Sequence, residues 1–245
     1  MADVVNEADP GFSPDARTTV YVWLTAFFVA CLLVADVVGI KLFEVKIFGF
    51  TVQHTCGMLT FPLTFMLTDL LNDYYGKKAA RRVTYIGFTM ALVVFVVINI
   101  ALAMPYLPAP YNIGKESFDA VFGNARVMYV ASLGAFLAGS LLDIAIFGVM
   151  KRWTGGRMIW LRATGSTVIS QVFDSLIVSY LAFGLGRQLF PSGSPPAPLA
   201  DILKIAATGY TLKFVLAVAI TPLIYVGHSV LRGWMGMTPL PPEKG

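Results

Sequence analysis

Six apolar stretches follow one another along the chain, and this succession constrains the fold more than any other feature of the sequence. Most of them are long enough to cross a bilayer, which takes about 20 residues of helix. The chain is 57% hydrophobic and only 13% charged, whereas soluble domains carry about 25% charged residues. The sequence therefore predicts an all-α polytopic membrane protein with six transmembrane helices. The predicted spans are residues 20–40, 54–72, 83–107, 127–150, 163–185 and 205–231. The segment between the first two spans is expected to be a short connector, whose apolar part at 47–52 leads into the second span.

The positions of lysine and arginine predict the orientation of these spans. Two tight basic clusters, at residues 77–82 and 151–162, fall on the same side as the N-terminus. Because basic loops remain in the cytoplasm, both termini are predicted to be cytoplasmic. Residues 1–19 are interpreted as a disordered tail, 20–231 as the membrane domain and 232–245 as a second tail. The net charge of +4 thus marks topology, and it indicates a lipid membrane rather than nucleic acid as the partner.

Ionisable side chains inside spans are costly and mark substrate or ion pathways by default. Five stand out here: Asp36, Asp69, Asp143, Asp174 and Lys213. Helical rise places Asp143, Asp174 and Lys213 toward the middle of the bilayer and Asp69 in its cytoplasmic third. Asp36 lies near the outer end of the first span, where an interfacial role is equally consistent with its position.

A lysine at such depth needs a carboxylate partner, and either Asp143 or Asp174 could serve. A purely structural ion pair would account for one acid only. The excess of acid over base indicates binding of a proton, of a cation or of a polar ligand, and all three are typical of transporters.

The fifth predicted span adds a set of polar residues around Asp174. Isolated serine or threonine in a span usually stabilises helix packing, but Gln171 and Asp174 are three apart and lie on adjoining helix faces. A carboxylate beside a carboxamide offers acceptors and donors suited to a flat heterocycle. The other polar residues of this set are Ser166, Thr167, Ser170 and Ser175.

The sequence carries no signature of an enzyme. There is no G-x-x-x-x-G-K-[ST], H-E-x-x-H or G-x-S-x-G motif, so ATP hydrolysis, metalloprotease and serine hydrolase chemistry are not predicted. The two cysteines lack metal-ligand spacing, and His54 and His228 are isolated and interpreted as interfacial or packed. We therefore expect neither a cofactor nor a metal.

Four stretches of this sequence carry a resemblance to a known family. They are LTFPLTFMLTDLLNDYYGKKAARR, GSLLDIAIFGVMKR, GSTVISQVFDSLI and GYTLKFVLAVAITPLIY. In these stretches the chain resembles the vitamin uptake transporter (VUT) family, and within it the queuosine precursor transporters of the YhhQ type. The similarity covers residues 20–231. Many members have glutamate at the position of Asp73, which conserves the charge.

The resemblance implies import of 7-cyano-7-deazaguanine and 7-aminomethyl-7-deazaguanine through the bacterial inner membrane. Asp174 and Gln171 would then recognise the purine-like edge of the substrate. Lys213, paired with Asp143, would set the charge and donate to the substrate carbonyl. The expected substrate-binding set is Asp174, Gln171, Lys213, Asp143, Ser166 and Thr167. The expected cytoplasmic mouth is Asp69, Asp73 and Tyr75.

Other functions remain open at this point. The polar set alone does not distinguish one flat nitrogen heterocycle from another, so the protein could import a different heterocycle or vitamin. It could also be the substrate-binding subunit of a separately energised complex. A homo-oligomer is compatible with the sequence, as are proton coupling and facilitated diffusion.

Overall fold

The structure is a computed structural model that describes residues 15–47, 50–123, 126–185 and 196–242. Helices dominate it, and a small two-stranded sheet follows the first helix. A π-helical segment, Tyr180–Leu185, continues α6. The helices are α1 (Ala16–Val38), α2 (Phe61–Tyr75), α3 (Lys77–Ala103), the short α4 (Lys115–Phe118), α5 (Arg126–Trp153), α6 (Ile159–Ser179) and α7 (Leu199–Gly233).

Five helices within the described residues are long and apolar enough to cross a membrane: α1, α3, most of α5, α6 with its continuation, and α7. This confirms the predicted polytopic, mainly helical membrane protein. The predicted second span, residues 54–72, is not among the five. Its helix α2 has only 15 residues, which corresponds to roughly 22 Å of helical rise.

The second span begins later than expected because of Pro62. Proline lacks a backbone N–H, so it is tolerated in the first turn of a helix, where that donor would have no partner. Pro62 occupies this place in α2 and does not kink the middle of a span. The four residues before Thr60 form a 3-10 helix, Cys56–Leu59. In contrast, Pro222 lies inside α7.

The connector after α1 is a β-hairpin, which was not predicted from the sequence. Strand β1 (Leu42–Ile47) pairs antiparallel with β2 (Phe50–Thr55), with Leu42 opposite Thr55. The stretch F-E-V-K-I alternates apolar and charged residues, which is the period of a strand. The expectation of an apolar lead-in to span two at 47–52 was therefore wrong, while the all-α class holds for the rest of the described chain.

The ends of several helices meet at one end of the molecule. At the start of α1, Arg17 donates through Nη2 to the carbonyl oxygen of Tyr74, near the end of α2, at 2.6 Å. From the end of α5 and the start of α6, Lys151 and Arg162 reach Asp73 of α2. We call this the basic end (Arg17, Tyr74, Lys151 and Arg162) and the opposite one, which carries β1 and β2, the hairpin end.

Helix α2 lies inside the bundle and is buried on almost every side from Thr64 to Tyr74. Its neighbours are α1, α3, α5, α6 and α7. Helix α3, in contrast, exposes a row of apolar side chains that includes Val93, Val96 and Val97, as expected for a lipid-facing surface. Polar residues on α2 are therefore sheltered from lipid by other helices. The core that encloses α2 and joins it to α1, α3 and α5 includes Phe28, Leu32, Leu67, Leu71, Val83, Tyr129 and Phe136.

Gly57 allows the 3-10 helix to lie directly against α1. A Cβ atom at this position would be 2.6 Å from the carbonyl oxygen of Ala35, which is backbone and cannot move away cheaply. We expect Gly57→Ala to lower the free energy of unfolding by about 1–3 kcal/mol, the usual cost of overpacking.

The thermal unfolding midpoint in detergent measures this effect. The matched control is Gly148→Ala on α5, where a Cβ would meet nothing within 4 Å and alanine favours the helix by up to about 1 kcal/mol. Equal midpoints for the two variants would contradict the close approach at Gly57.

Candidate functional site

A cavity of about 630 Å³ lies at the hairpin end, enclosed by α1, the hairpin, α5, α6 and α7. Its size falls within the range of about 300–1,000 Å³ that is typical of small-molecule sites. Aromatic rings and charged groups share its lining, including Tyr129 and Phe61, and Asp36 and Lys213. The cavity therefore combines apolar faces with a few polar groups, which suits a planar polar ligand.

An ion pair lies where this cavity narrows. Lys213 of α7 donates through Nζ to Oδ2 of Asp174 on α6, and both residues line the cavity. The ammonium of Lys213 also lies 5.6 Å from the centre of the Phe61 ring, within the range of a cation–π contact. The assignment of Asp143 as the partner of Lys213 was wrong, and the alternative, Asp174, is correct.

A smaller chamber of about 30 Å³ continues from the cavity toward the basic end. Lys213 and Phe61 line both spaces, and Asp69, Thr167 and Gln171 line only the smaller one among the two. We call this smaller space the inner chamber. The cavity and the inner chamber thus share Phe61 and Lys213 in their walls, and Asp174, the partner of Lys213, lies on the cavity side.

The side chain of Gln171 is buried, with 2% of its surface exposed. Neither its amide oxygen nor its amide nitrogen has a hydrogen-bond partner among the described residues, and the same is true of the Ser175 hydroxyl in the cavity. A buried polar group without a partner costs about 1–3 kcal/mol. Such groups are available to a ligand, which would supply the missing partners.

Two of the expected binding residues lie outside the lining of both spaces. Asp143 is fully buried and accepts a hydrogen bond from the Ser170 hydroxyl at 3.1 Å. The Ser166 hydroxyl donates to the carbonyl oxygen of Ala163 at 3.2 Å. Both residues belong to the α5–α6 contact, behind the surface that faces the cavity.

The basic end is closed by a buried cluster of charges around Asp73. Its carboxylate has no exposed surface and lies 2.6 Å from Lys151 Nζ, 2.5 Å from Arg162 Nη2 and 3.6 Å from His228 Nε2. We call these four residues the Asp73 cluster. It joins α2 to α5, α6 and α7, so the carboxylate expected at an open mouth is enclosed by cations in this structure. The Tyr74 hydroxyl lies 3.0 Å from Nδ1 of His228 and extends the cluster.

The segment after α7 covers this end of the molecule. The backbone N–H of Leu240 donates to the carbonyl oxygen of Asp73 at 2.9 Å. Tyr75, the third residue expected at the mouth, donates through its hydroxyl to the carbonyl oxygen of Arg17 at 2.7 Å. Asp69 does not belong to this layer, since it lies one helical turn away in the inner chamber.

The sequence did not predict the roles of several residues in the cavity and in the Asp73 cluster. Lys151 and Arg162 were interpreted as topology markers alone, although both are buried and bind Asp73. His54 was interpreted as packed or interfacial, yet it lines the cavity. Its Nδ1 accepts from the Thr55 N–H at 2.8 Å, so the neutral ring carries its proton on Nε2. The alternation of F-E-V-K-I was the signal that could have placed β2, and His54 with it, beside the site.

Burial, together with the positive charge of Lys213, lowers the pKa of His54 below its ordinary value. We expect Lys213→Met to raise this pKa, though not fully, because burial remains. Since the folded-state pKa is lower than the unfolded one, His54 also makes the fold less stable as the pH falls through the unfolded value of about 6.5.

An NMR titration of the imidazole signals measures this shift, and His54→Gln assigns the signal, since the chain has two histidines. Lys204→Met, an exposed lysine of α7, is the control and leaves the pKa of His54 unchanged. An identical pKa in the wild type and in Lys213→Met would contradict the electrostatic contact.

Comparison with known proteins places this geometry in context. A family model described as "Putative vitamin uptake transporter" matches residues 55–227. A protein of Bacillus subtilis (strain 168), named "Probable queuosine precursor transporter", is 31% identical over 190 residues, which cover 76% of each chain. The "Queuosine precursor transporter" of Escherichia coli (strain K12) is 28% identical over 208 residues, or 84% of this chain and 85% of that protein.

A further relative, from Haemophilus influenzae, is named "Probable queuosine precursor transporter" and is 26% identical over 185 residues, or 71% of this chain and 74% of that protein. No solved structure matches the chain significantly. With bacterial relatives over most of its length and five apolar helices among its described residues, the protein is a multi-pass bacterial membrane protein.

Proposed function

Since the chain belongs to the vitamin uptake transporter family, we propose that it imports queuosine precursors across the bacterial inner membrane. The proposed substrates are 7-cyano-7-deazaguanine and 7-aminomethyl-7-deazaguanine. The names of the B. subtilis, E. coli and H. influenzae relatives support this substrate class. The observation that carries the proposal is the buried Gln171 amide without partners, one helical turn from the ion pair where the cavity and the inner chamber meet.

The proposed transporter crosses the membrane six times, with both termini in the cytoplasm. Support comes from the clustering of basic residues at the basic end, because positive charge remains on the cytoplasmic side. Helix α2 is the short crossing, and its length is tolerable because protein rather than lipid surrounds it. The transporter domain extends from the start of α1 at Ala16 to the end of α7 at Gly233, slightly beyond the expected bounds of 20 and 231, and the residues on either side are the tails. In this orientation the large cavity faces outward and the Asp73 cluster closes the cytoplasmic side.

In substrate recognition, Asp174 and Lys213 exchange their mutual contact for contacts with the substrate. A guanine-like edge presents an exocyclic amine and a ring N–H side by side, and a carboxylate such as Asp174 accepts from both. The carbonyl of the base then takes a hydrogen bond from Lys213, whose ammonium group is bound to Asp174 in this structure. The Gln171 amide and the Thr167 hydroxyl supply further donors and acceptors. Phe61 and Tyr129 offer ring faces for stacking.

The remaining members of the expected set have supporting roles in this proposal. Asp143 and Ser166 lie behind the binding surface and do not touch the substrate. Asp73 and Tyr75 hold the cytoplasmic side closed through their contacts with neighbouring helices. These contacts break to let the substrate leave. The protein performs no catalysis, and transport requires no cofactor.

The test is uptake of labelled 7-cyano-7-deazaguanine by cells that lack their own precursor importer. We expect uptake to depend on expression of this protein and to be inhibited by an excess of the unlabelled aminomethyl form. Good membrane expression without uptake would refute the proposal.

A second candidate function is import of another small heterocycle or vitamin, which the description of the family favours. Competition of the labelled uptake by other heterocycles distinguishes this candidate. If the protein is instead the binding subunit of an energised complex, ATPase subunits co-purify with it and uptake depends on them.

A further inference from the structure

The buried charges of the described residues do not balance. Four carboxylates are buried, those of Asp69, Asp73, Asp143 and Asp174. The buried or nearly buried cations are fewer, and each is already bound to an acid. Lys151 and Arg162 bind Asp73, and Lys213 binds Asp174. Asp69 and Asp143 remain without a cation among the described residues.

These two remaining acids are neighbours in the interior. Asp69 has 3% of its surface exposed and Asp143 none. Their helices are joined beside them, because Nδ2 of Asn72, one turn from Asp69 on α2, donates to the carbonyl oxygen of Ile144, next to Asp143 on α5, at 3.2 Å. One oxygen of each, Oδ1 of Asp69 and Oδ2 of Asp143, has no hydrogen-bond partner among the described residues. Oδ1 of Asp143 accepts a hydrogen bond from the neutral Ser170 hydroxyl, and the Ser166 and Thr167 hydroxyls, also neutral, act on the same carboxyl group. Two like charges in such a place cannot both be ionised at low cost, because each ion carries a desolvation penalty of several kcal/mol.

The surroundings offer a route for a small ion. Asp69 lines the inner chamber together with the unpartnered Gln171 amide. A chamber of about 30 Å³ holds about one water molecule and is too small for a heterocycle. It meets the large cavity at Lys213. The chamber therefore has room for one water molecule between Asp69 and Lys213, which also lines the cavity.

We propose that Asp69 and Asp143 share one proton and that this proton is the ion coupled to substrate import. Binding of a proton from water changes the charge of the pair from −2 to −1, and release to the cytoplasmic side restores it. The site of the proton is new, and its coupling role rests on the proposed transport function. The ring of the substrate thus lies in the cavity and only its polar edge reaches Gln171 and Thr167, whereas the proton is held by Asp69 at the wall of the inner chamber and by Asp143 behind it.

The charged groups around the pair come from each helix packed against α2. Arg162 of α6 and Asp73 of α2 lie on its basic-end side and act on Asp69 with opposite signs. The Asp174–Lys213 pair lies on its hairpin side. The other charged groups of the packed helices are Arg17 and Asp36 of α1, Lys77, Lys78, Arg81 and Arg82 of α3, Arg126, Lys151 and Arg152 of α5, and Asp201, Lys204, His228 and Arg232 of α7.

Transport in proteoliposomes tests the coupling. With the full chain reconstituted, an inward proton gradient drives accumulation of labelled 7-cyano-7-deazaguanine, and exchange of internal for external substrate proceeds without a gradient. We expect Asp143→Asn to keep measurable exchange. Its accumulation of substrate under a proton gradient is expected to fall to the amount accumulated when the pH is equal on both sides. Asp201→Asn, an exposed aspartate of α7, behaves like the wild type. Accumulation driven by a sodium gradient at equal pH, or insensitive to both gradients, would overturn the coupling.

Infrared spectroscopy tests the shared proton without any substrate. We expect a carboxylic-acid C=O band at neutral pH in the purified protein, shifted in Asp143→Asn and in Asp69→Asn and lost in the double variant. Asp201→Asn retains it. If the wild type and the double variant show the same spectrum, the shared proton does not exist. Absence of exchange by the wild type, with this band present, would refute the transport function and leave the proton site standing.

Discussion

Asp174→Asn and Lys213→Met each abolish uptake of labelled 7-cyano-7-deazaguanine, down to the level of cells without an importer. The carboxylate of Asp174 is expected to accept two hydrogen bonds from the substrate, and a hydrogen bond to a charged group contributes about 1.5–3 kcal/mol. Asp174→Asn replaces one of these acceptors by an amide donor and removes the charge from the other, which weakens binding by at least about 10-fold. Lys213→Met removes the donor to the carbonyl and leaves Asp174 buried without its counter-ion.

Two further variants separate a binding role from a structural one. Phe173→Leu changes the residue next to Asp174, but its side chain is exposed on the outer surface of the bundle, so uptake is expected to persist. The double variant Asp174→Asn with Lys213→Gln removes both charges and leaves no buried ion unpaired. If uptake returns in this double variant, the pair only fixes helix packing and Asp174 does not bind substrate.

Asp73→Asn is expected to destabilise the protein more than any other conservative change inside the bundle. It leaves Lys151 and Arg162 buried without a counter-charge, and breaking a buried pair costs about 3–5 kcal/mol. For a chain of this size that loss lowers the unfolding midpoint by roughly 6–20 °C. Thermal unfolding of the purified protein in detergent measures it.

Asp69→Asn is the matched control for this prediction. Asp69 lies one turn away on the same helix and is almost as deeply buried as Asp73, but it has no cation bound to it. Asp69→Asn removes a buried charge and leaves no other buried charge without its partner. The unfolding midpoint of this variant is therefore expected to equal or exceed that of the wild type. Similar drops for the two variants would show that the ion pairs of the Asp73 cluster do not stabilise the fold.

The sequence predicts much of this architecture because apolar length and basic loops are local properties. The prediction fails between residues 42 and 60. The alternation of F-E-V-K-I and the nearby Pro62 indicated a strand and a late helix start, but the prediction followed the average hydropathy of the region instead. Hydropathy over a long window cannot distinguish a hairpin followed by a short helix from one continuous span. The first helix also begins at Ala16, with Asp15 as its N-cap, four residues before the predicted span.

The sequence predicted most residues of the candidate site, but it did not predict which aspartate binds Lys213. Asp143 and Asp174 have similar depth, so only the rotation of their helices decides which of them meets Lys213. That rotation depends on packing, as at Gly139, where a Cβ would lie 3.2 Å from the Cβ of Asp174. Sequence spacing along one helix gives the adjacency of Gln171 and Asp174, but it contains no information about the facing helix.

The Asp73 cluster also has a consequence for the biogenesis of this protein. Helix α2 leaves the ribosome as a short segment with two aspartates, and an aspartate at the centre of a helix disfavours membrane insertion by about 2.5–3.5 kcal/mol. The cations that neutralise Asp73 follow 78 and 89 residues later, at Lys151 and Arg162. Stable insertion of α2 is therefore expected to wait for α5 and α6, so that the second helix in the chain is among the last to settle in the bilayer.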